Sequence, residues 1–507
     1  MSAAPESATS MPHEVSESDH TVMNALRSPR RLKTEVLAGL VVALALIPEA
    51  IAFSIIAGVD PRIGLFASFT MAVAIAFLGG RPAMISAATG AIALVIAPVA
   101  REYGLDYFIA TVILAGILQV LFGVLGVAKL MRFIPRSVMV GFVNALAILI
   151  FTSQFPVLIG VPWLVYPLVA VGLLIMVVLP RITSVVPAPL VAIVLLTGAV
   201  VVFAWNVPNV GGEGELPSSL PALFFPDVPL TLETLAVIAP YAIAMAIVGL
   251  LESLLTAKLV DDVTDTHSNK TRESWGQGAA NVITGFFGGM GGCAMVGQTM
   301  INVKASGART RISTFLAGIF LLLLVVGLGD IVALIPMAAL AAVMIMVAIG
   351  TLDWHSIHPA TLRRMPGSET AVMLATVVVT VATHNLAYGV VVGVLTAMVL
   401  FARRVAHLTE VVDVAHPDEN TRVYRVSGEL FFASSNDLVY QFDYLDDPQN
   451  VIIDLSGAHV WDASTVAALD AITQKYASKG KQANIIGLDG ASAERHGRLT
   501  GTLAAGH

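Results

Sequence analysis

Charge is scarce in this sequence: only 12% of its 507 residues are Asp, Glu, Lys or Arg, about half the share of an ordinary soluble domain. That shortage excludes a chain that keeps most of its surface in water, and no nucleic-acid partner is expected of it. Cysteine is nearly absent. Cys293 stands alone, which rules out an internal disulfide and a multi-cysteine metal site; small-residue filler in a glycine-rich loop is its expected role. The sequence also lacks the Gly-x-Ser-x-Gly elbow of a serine hydrolase and an N-terminal apolar core with a small-residue cleavage site. No catalytic residue, metal or cofactor is expected. The run Asp261-Asp262-Val263-Thr264-Asp265-Thr266-His267 reads as a solvated loop, and His355, His358 and His384 read as interfacial.

What is abundant is apolar: 56% of the residues are hydrophobic and the mean hydropathy is +0.83. Apolar runs near the roughly 20 residues that cross a bilayer cover 34–56, 62–79, 84–99, 107–126, 137–160, 162–180 and 185–206. A polar, proline-rich loop from Asn209 to Thr231 follows. A second group covers 232–257, 276–290, 295–306, 312–329, 331–350, 369–384 and 386–402. The sequence thus predicts a polytopic α-helical membrane protein of seven plus seven segments. The third member of each group is short and broken.

Basic residues orient these segments. Of the 28, nineteen fall on one side of the predicted spans and seven in the C-terminal tail. Only Arg62 and Arg101 fall on the other side. A positive-inside bias of this size puts the N- and C-termini in the cytoplasm of a multi-pass inner-membrane protein. An odd number of crossings per half also makes the halves inverted relative to each other. Residues 1–33 form a polar cytoplasmic segment, disordered by composition up to about Met23. Its Arg27, Arg30, Arg31 and Lys33 either bind lipid headgroups or hold the N-terminus inside.

The two broken members carry the candidate site. Gly291-Gly292-Cys293-Ala294-Met295-Val296-Gly297-Gln298 cannot run as an ordinary membrane helix, because each glycine weakens it by about 1 kcal/mol relative to alanine. Ile85-Ser86-Ala87-Ala88-Thr89-Gly90-Ala91-Ile92 has the same character. Paired interruptions in corresponding positions of two halves mark a transporter's binding site; glycine-rich packing seams are the alternative. We read each as extended chain leading into a half-helix whose free N–H groups and dipole favour an anion.

The first segment of each half carries a buried acid, Glu49 and Glu252. A charge at mid-bilayer costs at least about 2.5–3.5 kcal/mol, so such a residue is functional by default. Pro48 bends the first span beside Glu49, and Phe53, one turn on, offers an apolar wall. Two helix tips supply about one positive charge in total. An ionised Glu49 about 4 Å from the anion would repel it by about 4 kcal/mol at an effective dielectric of 20, close to a thousandfold in affinity. Binding should therefore favour protonated Glu49, so substrate and proton bind together.

Pro48-Glu49-Ala50-Ile51-Ala52-Phe53, Glu252 with Thr256, and Thr299-Met300-Ile301-Asn302 through Ser306-Gly307-Ala308-Arg309-Thr310 resemble the sulfate permease (SulP) family. The resemblance implies a seven-plus-seven inverted repeat shared with uracil permeases, spanning 34–404. A core of spans 1–4 and 8–11 would move against a gate of spans 5–7 and 12–14. The anion would bind between half-helices 3 and 10, at Glu49, Phe53, Thr89, Gly90, Ala91, Gly297, Gln298 and Thr299. Glu49, Glu252 and Thr256 would serve proton or sodium coupling. Two departures stand out: Thr299 occupies the place where some animal members put an arginine, and Glu252 the place of an aspartate in a sodium–bicarbonate relative. Family breadth implies a small anion, such as a dicarboxylate like fumarate, bicarbonate or sulfate. A passive channel, a sodium symporter and a nucleobase permease are the alternatives.

After Arg403-Arg404 the composition turns soluble. Residues 408–507 alternate strand and helix: Val423–Val426, Ser435–Tyr444, Val451–Leu455, Ser464–Ser478 and Asn484–Leu488. Asp454-Leu455-Ser456 and Trp461-Asp462-Ala463-Ser464 resemble the cytoplasmic STAS domain, which implies docking or homodimerisation and no catalysis. Ala463 stands where bacterial antagonists carry a phosphorylated serine. The polar, glycine-rich stretch from Gly490 reads as a missing final helix.

Overall fold

A computed structural model of the chain describes residues 21–126, 134–182, 187–406 and 409–501. Lys129, Arg132 and the first twenty residues lie outside them. The chain forms two compact units, 1–393 and 394–507.

In the first unit the apolar runs become helices: α1 (Pro29–Ala57), α2 (Pro61–Leu78), α3 (Gly90–Tyr103), α4 (Leu105–Val124), α5 (Arg136–Thr152), α6 (Val165–Ile182) and α7 (Ala188–Val202). The second group is α8 (Leu232–Thr264), α9 (Lys270–Phe286), α10 (Val296–Met300), α11 (Arg311–Gly327), α12 (Met337–Thr351), α13 (Gly367–Thr383) and α14 (Leu386–Ala406), the last running on into the second unit. Among the described residues, seven helices are long and apolar enough to cross a membrane, and four more are shorter but apolar. Local chemistry sets their ends. Pro29 and Pro61 open α1 and α2 where the missing N–H is harmless, and Gly58 ends α1 at φ +79°.

The two broken segments part from this pattern. Ser86–Ala87 (β1) and Cys293–Ala294 (β2) are extended, and they pair antiparallel, Ser86 with Ala294 and Ala87 with Cys293. Each strand then leads into a half-helix, α3 or α10; α10 continues as a π-helix over Ile301–Ala305. The pairing is obligatory in lipid, where an unpartnered backbone group costs several kcal/mol. Side chains satisfy the flanking groups. Thr299 Oγ1 accepts from Ile85 N at 3.0 Å, Asn281 brackets Gly292 through Oδ1 (2.8 Å) and Nδ2 (3.0 Å), and Ser253 Oγ accepts from Ala294 N at 3.1 Å.

Helix packing repeats across this pair. α4 packs on α9 and α8, while α11 packs on α2 and α1. Shifting each helix by seven places turns the first set into the second. The same shift turns α5 on α13 into α12 on α6. The twofold relation therefore passes through the β1–β2 pair. Helices α1–α4 and α8–α11 form one packed group, and α5–α7 with α12 and α13 another.

The span reading needs two corrections. The twelfth segment is broken: Gly329–Ala333 is a separate short helix, and α12 starts after Pro336. Helix α8 runs on to Thr264, so part of the stretch read as a solvated loop is helical. Asp261 is paired there with Arg81 (3.0 Å) and Lys270 (2.6 Å).

The second unit contains a four-stranded sheet in the order β3 (Glu410–Asp418), β4 (Thr421–Leu430), β5 (Asn450–Val460), β6 (Gln482–Ile486). The first pair is antiparallel and the others parallel. Helices α15 (Phe432–Leu438), α16 (Ala463–Ser478) and α17 (Gly490–Leu499) complete it. Its buried residues alternate along β5, with Val451, Ile453 and Leu455 in the core. The final helix is present, contrary to the composition: Asp489 caps α17 by accepting from Ser492 N at 2.7 Å. The helix read at 435–444 starts earlier and ends at Leu438. Asp447 is buried beneath Tyr424 Oη (2.9 Å), Tyr476 Oη (2.5 Å) and Arg422 Nη1 (2.6 Å).

Two predictions follow from this packing. A Cβ on Gly292 would lie 2.0 Å from the Ala87 carbonyl oxygen, whereas one on Gly297 meets nothing within 4 Å. Gly292→Ala should therefore destabilise by at least about 1–3 kcal/mol, and Gly297→Ala by far less, as read from thermal unfolding in detergent. In the second unit, burial and then Asp447 push the Tyr424 hydroxyl up to about 12, and burial alone does the same for Tyr444. Both folded values lie above the unfolded ones, so the stability they contribute is present below pH 10 and lost as pH rises toward 12. Ultraviolet difference absorbance should show these two tyrosines ionising late, together with loss of tertiary structure.

Candidate functional site

The β1–β2 pair brings three helices and two helix tips together. Thr89 caps α3 by accepting from Ile92 N at 3.4 Å. Helix geometry leaves the first N–H groups without intrahelical acceptors. Those of Gly90 and Ala91 find none elsewhere among the described residues, nor do those of Val296, Gly297 and Gln298 at the start of α10. Gly297 is exposed and faces open space.

Glu49 is buried on α1, with its side chain hydrogen-bonded to Gln298. Phe53 lies one turn further, against the tip of α3. A Cβ on Gly90 would sit 2.8 Å from the Phe53 ring and 3.2 Å from Ile150 of α5, so only glycine lets that ring reach the tip. Glu252 on α8 accepts from the Cys293 thiol at 2.8 Å, and Thr89 Oγ1 lies 3.1 Å from that sulfur. Thr89 is also a side-chain hydrogen-bond partner of Glu252. The cluster therefore has two carboxyl groups, one toward each tip, with the backbone amides of both tips unclaimed.

The structure groups Glu49, Phe53, Thr89, Gly90, Glu252 and Gln298 around this centre. Thr299 is placed otherwise: its hydroxyl engages both N and O of Ile85, the latter at 3.4 Å. Thr256 donates to the backbone oxygen of Glu252 at 2.7 Å. Cys293 is more than filler, since its thiol bridges Glu252 and Thr89. Sequence reasoning also missed the buried scaffold of Gln119, Asn281 and Gln277. Asn281 Nδ2 donates to Gln119 Oε1 at 2.8 Å, and Gln277 Nε2 to Ser86 Oγ at 2.6 Å. Amides inside predicted spans were the available signal, because lipid tolerates them only with partners.

Two cavities lie to either side of this region, and none of the residues grouped above lines either one. One, of about 980 Å³, opens at the face where α1 ends; it meets α1 at Ala52 and Ile56, and α3 at Leu94 and Arg101. The other, of about 530 Å³, lies toward the opposite face, lined by Val41, Met176, Ile301 and Met346.

The thiol bridge makes its own prediction. Cys293→Ser keeps a donor and acceptor between Thr89 and Glu252 and should retain anion affinity within about threefold. Cys293→Val leaves the carboxylate without this bond, at about 1.5–3 kcal/mol, and should weaken binding tenfold or more by isothermal calorimetry.

Comparison with known proteins bears on the whole chain. The sequence model described as "Sulfate permease family" matches residues 32–166 and 161–376, and the one described as "STAS domain" matches 412–501. The chain is 53% identical over 461 residues to "Putative sulfate transporter YbaR" of Bacillus subtilis (strain 168), covering 91% of this chain and 95% of that protein. It is 26% identical over 528 residues to "Bicarbonate transporter BicA" of Picosynechococcus sp., covering 93% and 91%. The solved transmembrane domain of a cyanobacterium bicarbonate transporter BicA superposes with a TM-score of 0.64 at 26% identity, over 71% of this chain and 98% of that one. The anion transporter Slc26a9 of mouse, in its inward-facing state, shares the fold at a TM-score of 0.78 and 16% identity, over 92% and 87%.

Proposed function

Because this chain belongs to the sulfate permease family, we propose that it is a secondary active transporter that carries a small anion by alternating access, together with a proton. The observation that carries this reading is the pair of half-helix tips, joined back-to-back by β1 and β2, whose amides are unclaimed beside Glu49 and Gln298. Such amides bind an anion without any lysine or arginine. Sulfate and bicarbonate, the anions in the relatives' names, lead the substrate class, ahead of dicarboxylates such as fumarate.

Proton coupling follows from charge balance. The tips provide at most about one positive charge, and α10 has only a single α-turn before its π-helix. An anion seated there is repelled by ionised Glu49 and accommodated by the neutral acid, which can also donate. Sodium fits less well at Glu252, because the Cys293 thiol is hydrogen-bonded to that carboxyl at 2.8 Å, and hard cations prefer oxygen ligands. The bias of nineteen basic residues toward one side supports cytoplasmic N- and C-termini. The STAS domain is then a cytoplasmic docking or dimerisation module. Motion of α1–α4 with α8–α11 against α5–α7 with α12–α14 would alternate access between the two cavities.

The test is counterflow of labelled sulfate, bicarbonate and fumarate in liposomes with an imposed pH step. The parent should accumulate its anion uphill from the acidic side. Glu49→Gln should keep downhill exchange while losing accumulation; a Glu49→Gln protein still driven uphill by the pH step would refute the role of Glu49.

A further inference from the structure

The larger cavity carries a feature that the central site does not use. Two basic residues lie toward the face where α1 ends, Arg62 and Arg101. Arg62 is neutralised by Glu215 and by Asp60 at 3.6 Å. Arg101 has no carboxylate within ion-pair distance among the described residues. Its Nη2 donates to the Ile56 carbonyl at 3.1 Å, which occupies one of five guanidinium N–H donors. It is exposed and, among the described residues, is the one arginine or lysine lining the cavity, where Glu233, His384, Tyr103, Tyr241 and Tyr388 are the other ionisable side chains.

Its place on α3 gives that charge a purpose. Helix α3 points its N-terminus at the central site, so its C-terminus, worth about half a negative charge, lies at the cavity. Arg101 stands in that last turn. Without it, an incoming anion would meet the carbonyl end of α3 together with Glu102 and Glu233. Nor can the central tips reach out to compensate. Gly90 and Arg101 are separated by about 16 Å along the helix at 1.5 Å per residue, about twice the screening length in physiological salt.

We propose that Arg101 forms a second, transient anion-binding station in this cavity. It receives the transported oxyanion before the anion passes Ala52 and Leu94 to the central site. The guanidinium is always charged, so it attracts a carbonate or sulfate as a fixed positive charge at the cavity wall. This inference rests on the anion-transport reading given above.

The test is initial-rate uptake in proteoliposomes of defined orientation, at substrate well below KM and at several ionic strengths, with labelled sulfate and bicarbonate as probes. Arg101→Gln should slow entry from the cavity side by about tenfold at low salt and flatten the salt dependence, in the range that electrostatic steering gives. Arg101→Lys should restore rate and salt slope to within about twofold, and Arg62→Gln should leave both unchanged. If Arg101→Gln matches the parent at low salt, the station does not exist. If Arg101→Lys is as impaired as Arg101→Gln, the hydrogen bond to Ile56 matters and the charge does not, which also overturns the proposal. Failure of the parent to move any anion would instead defeat the underlying transport reading.

Discussion

The structure depends on a two-residue antiparallel pairing. Backbone that leaves the helix in the middle of a bilayer has no water to satisfy it, so Ser86–Ala87 and Cys293–Ala294 must satisfy each other. Because the pair is antiparallel, the chains leaving it run in opposite directions, and each starts a half-helix. The buried side chains of Asn281, Thr299 and Ser253 serve the same need for the backbone of Gly292, Ile85 and Ala294, and Gln277 holds the Ser86 hydroxyl. What they leave open, the first amides of α3 and α10, is the chemistry available to a ligand.

The inverted repeat follows from the same constraint. A pair of interrupted segments can meet only if the two halves enter the membrane from opposite sides. The recurrence of α4 on α9 as α11 on α2 reflects that geometry. Symmetry is broken where function needs difference. Glu49 is engaged by Gln298, whereas Glu252 is engaged by a thiol and by Thr89, so the two acids occupy unlike settings on like helices. The tips differ as well: α3 runs for fourteen residues, whereas α10 turns into a π-helix after five. π-helical turns are rare and collect at functional sites.

Much of the fold was legible because lipid imposes simple rules. Span length, basic flanks and the contrast between glycine-rich and apolar stretches report directly on membrane crossing, and helices α1 to α14 overlie the predicted runs, although some, among them α5, α8, α9 and α12, depart from them by six to eight residues at one end. Where the reading failed, the deciding force was not periodic. Pro336 split the twelfth segment, and α17 formed from a polar stretch because Asp489 caps it, although composition gives no sign of that cap. The stretch around Asp261 looked solvated because its partners, Arg81 and Lys270, come from other segments.

The candidate site divides in the same way. The sequence by itself determined that two acids and two broken segments sit in lipid, since hydrophobicity and glycine content are local properties and an intramembrane carboxylate is conspicuous in either. Only the tertiary structure decided which groups meet. Gly90 yields its Cβ space to Phe53, Thr299 turns away to hold Ile85, and Cys293, by its neighbours a filler, bridges Glu252 and Thr89. Those pairings join residues about forty to two hundred positions apart. Their partners are chosen by the direction in which a packed backbone aims each side chain, which no single stretch of sequence encodes.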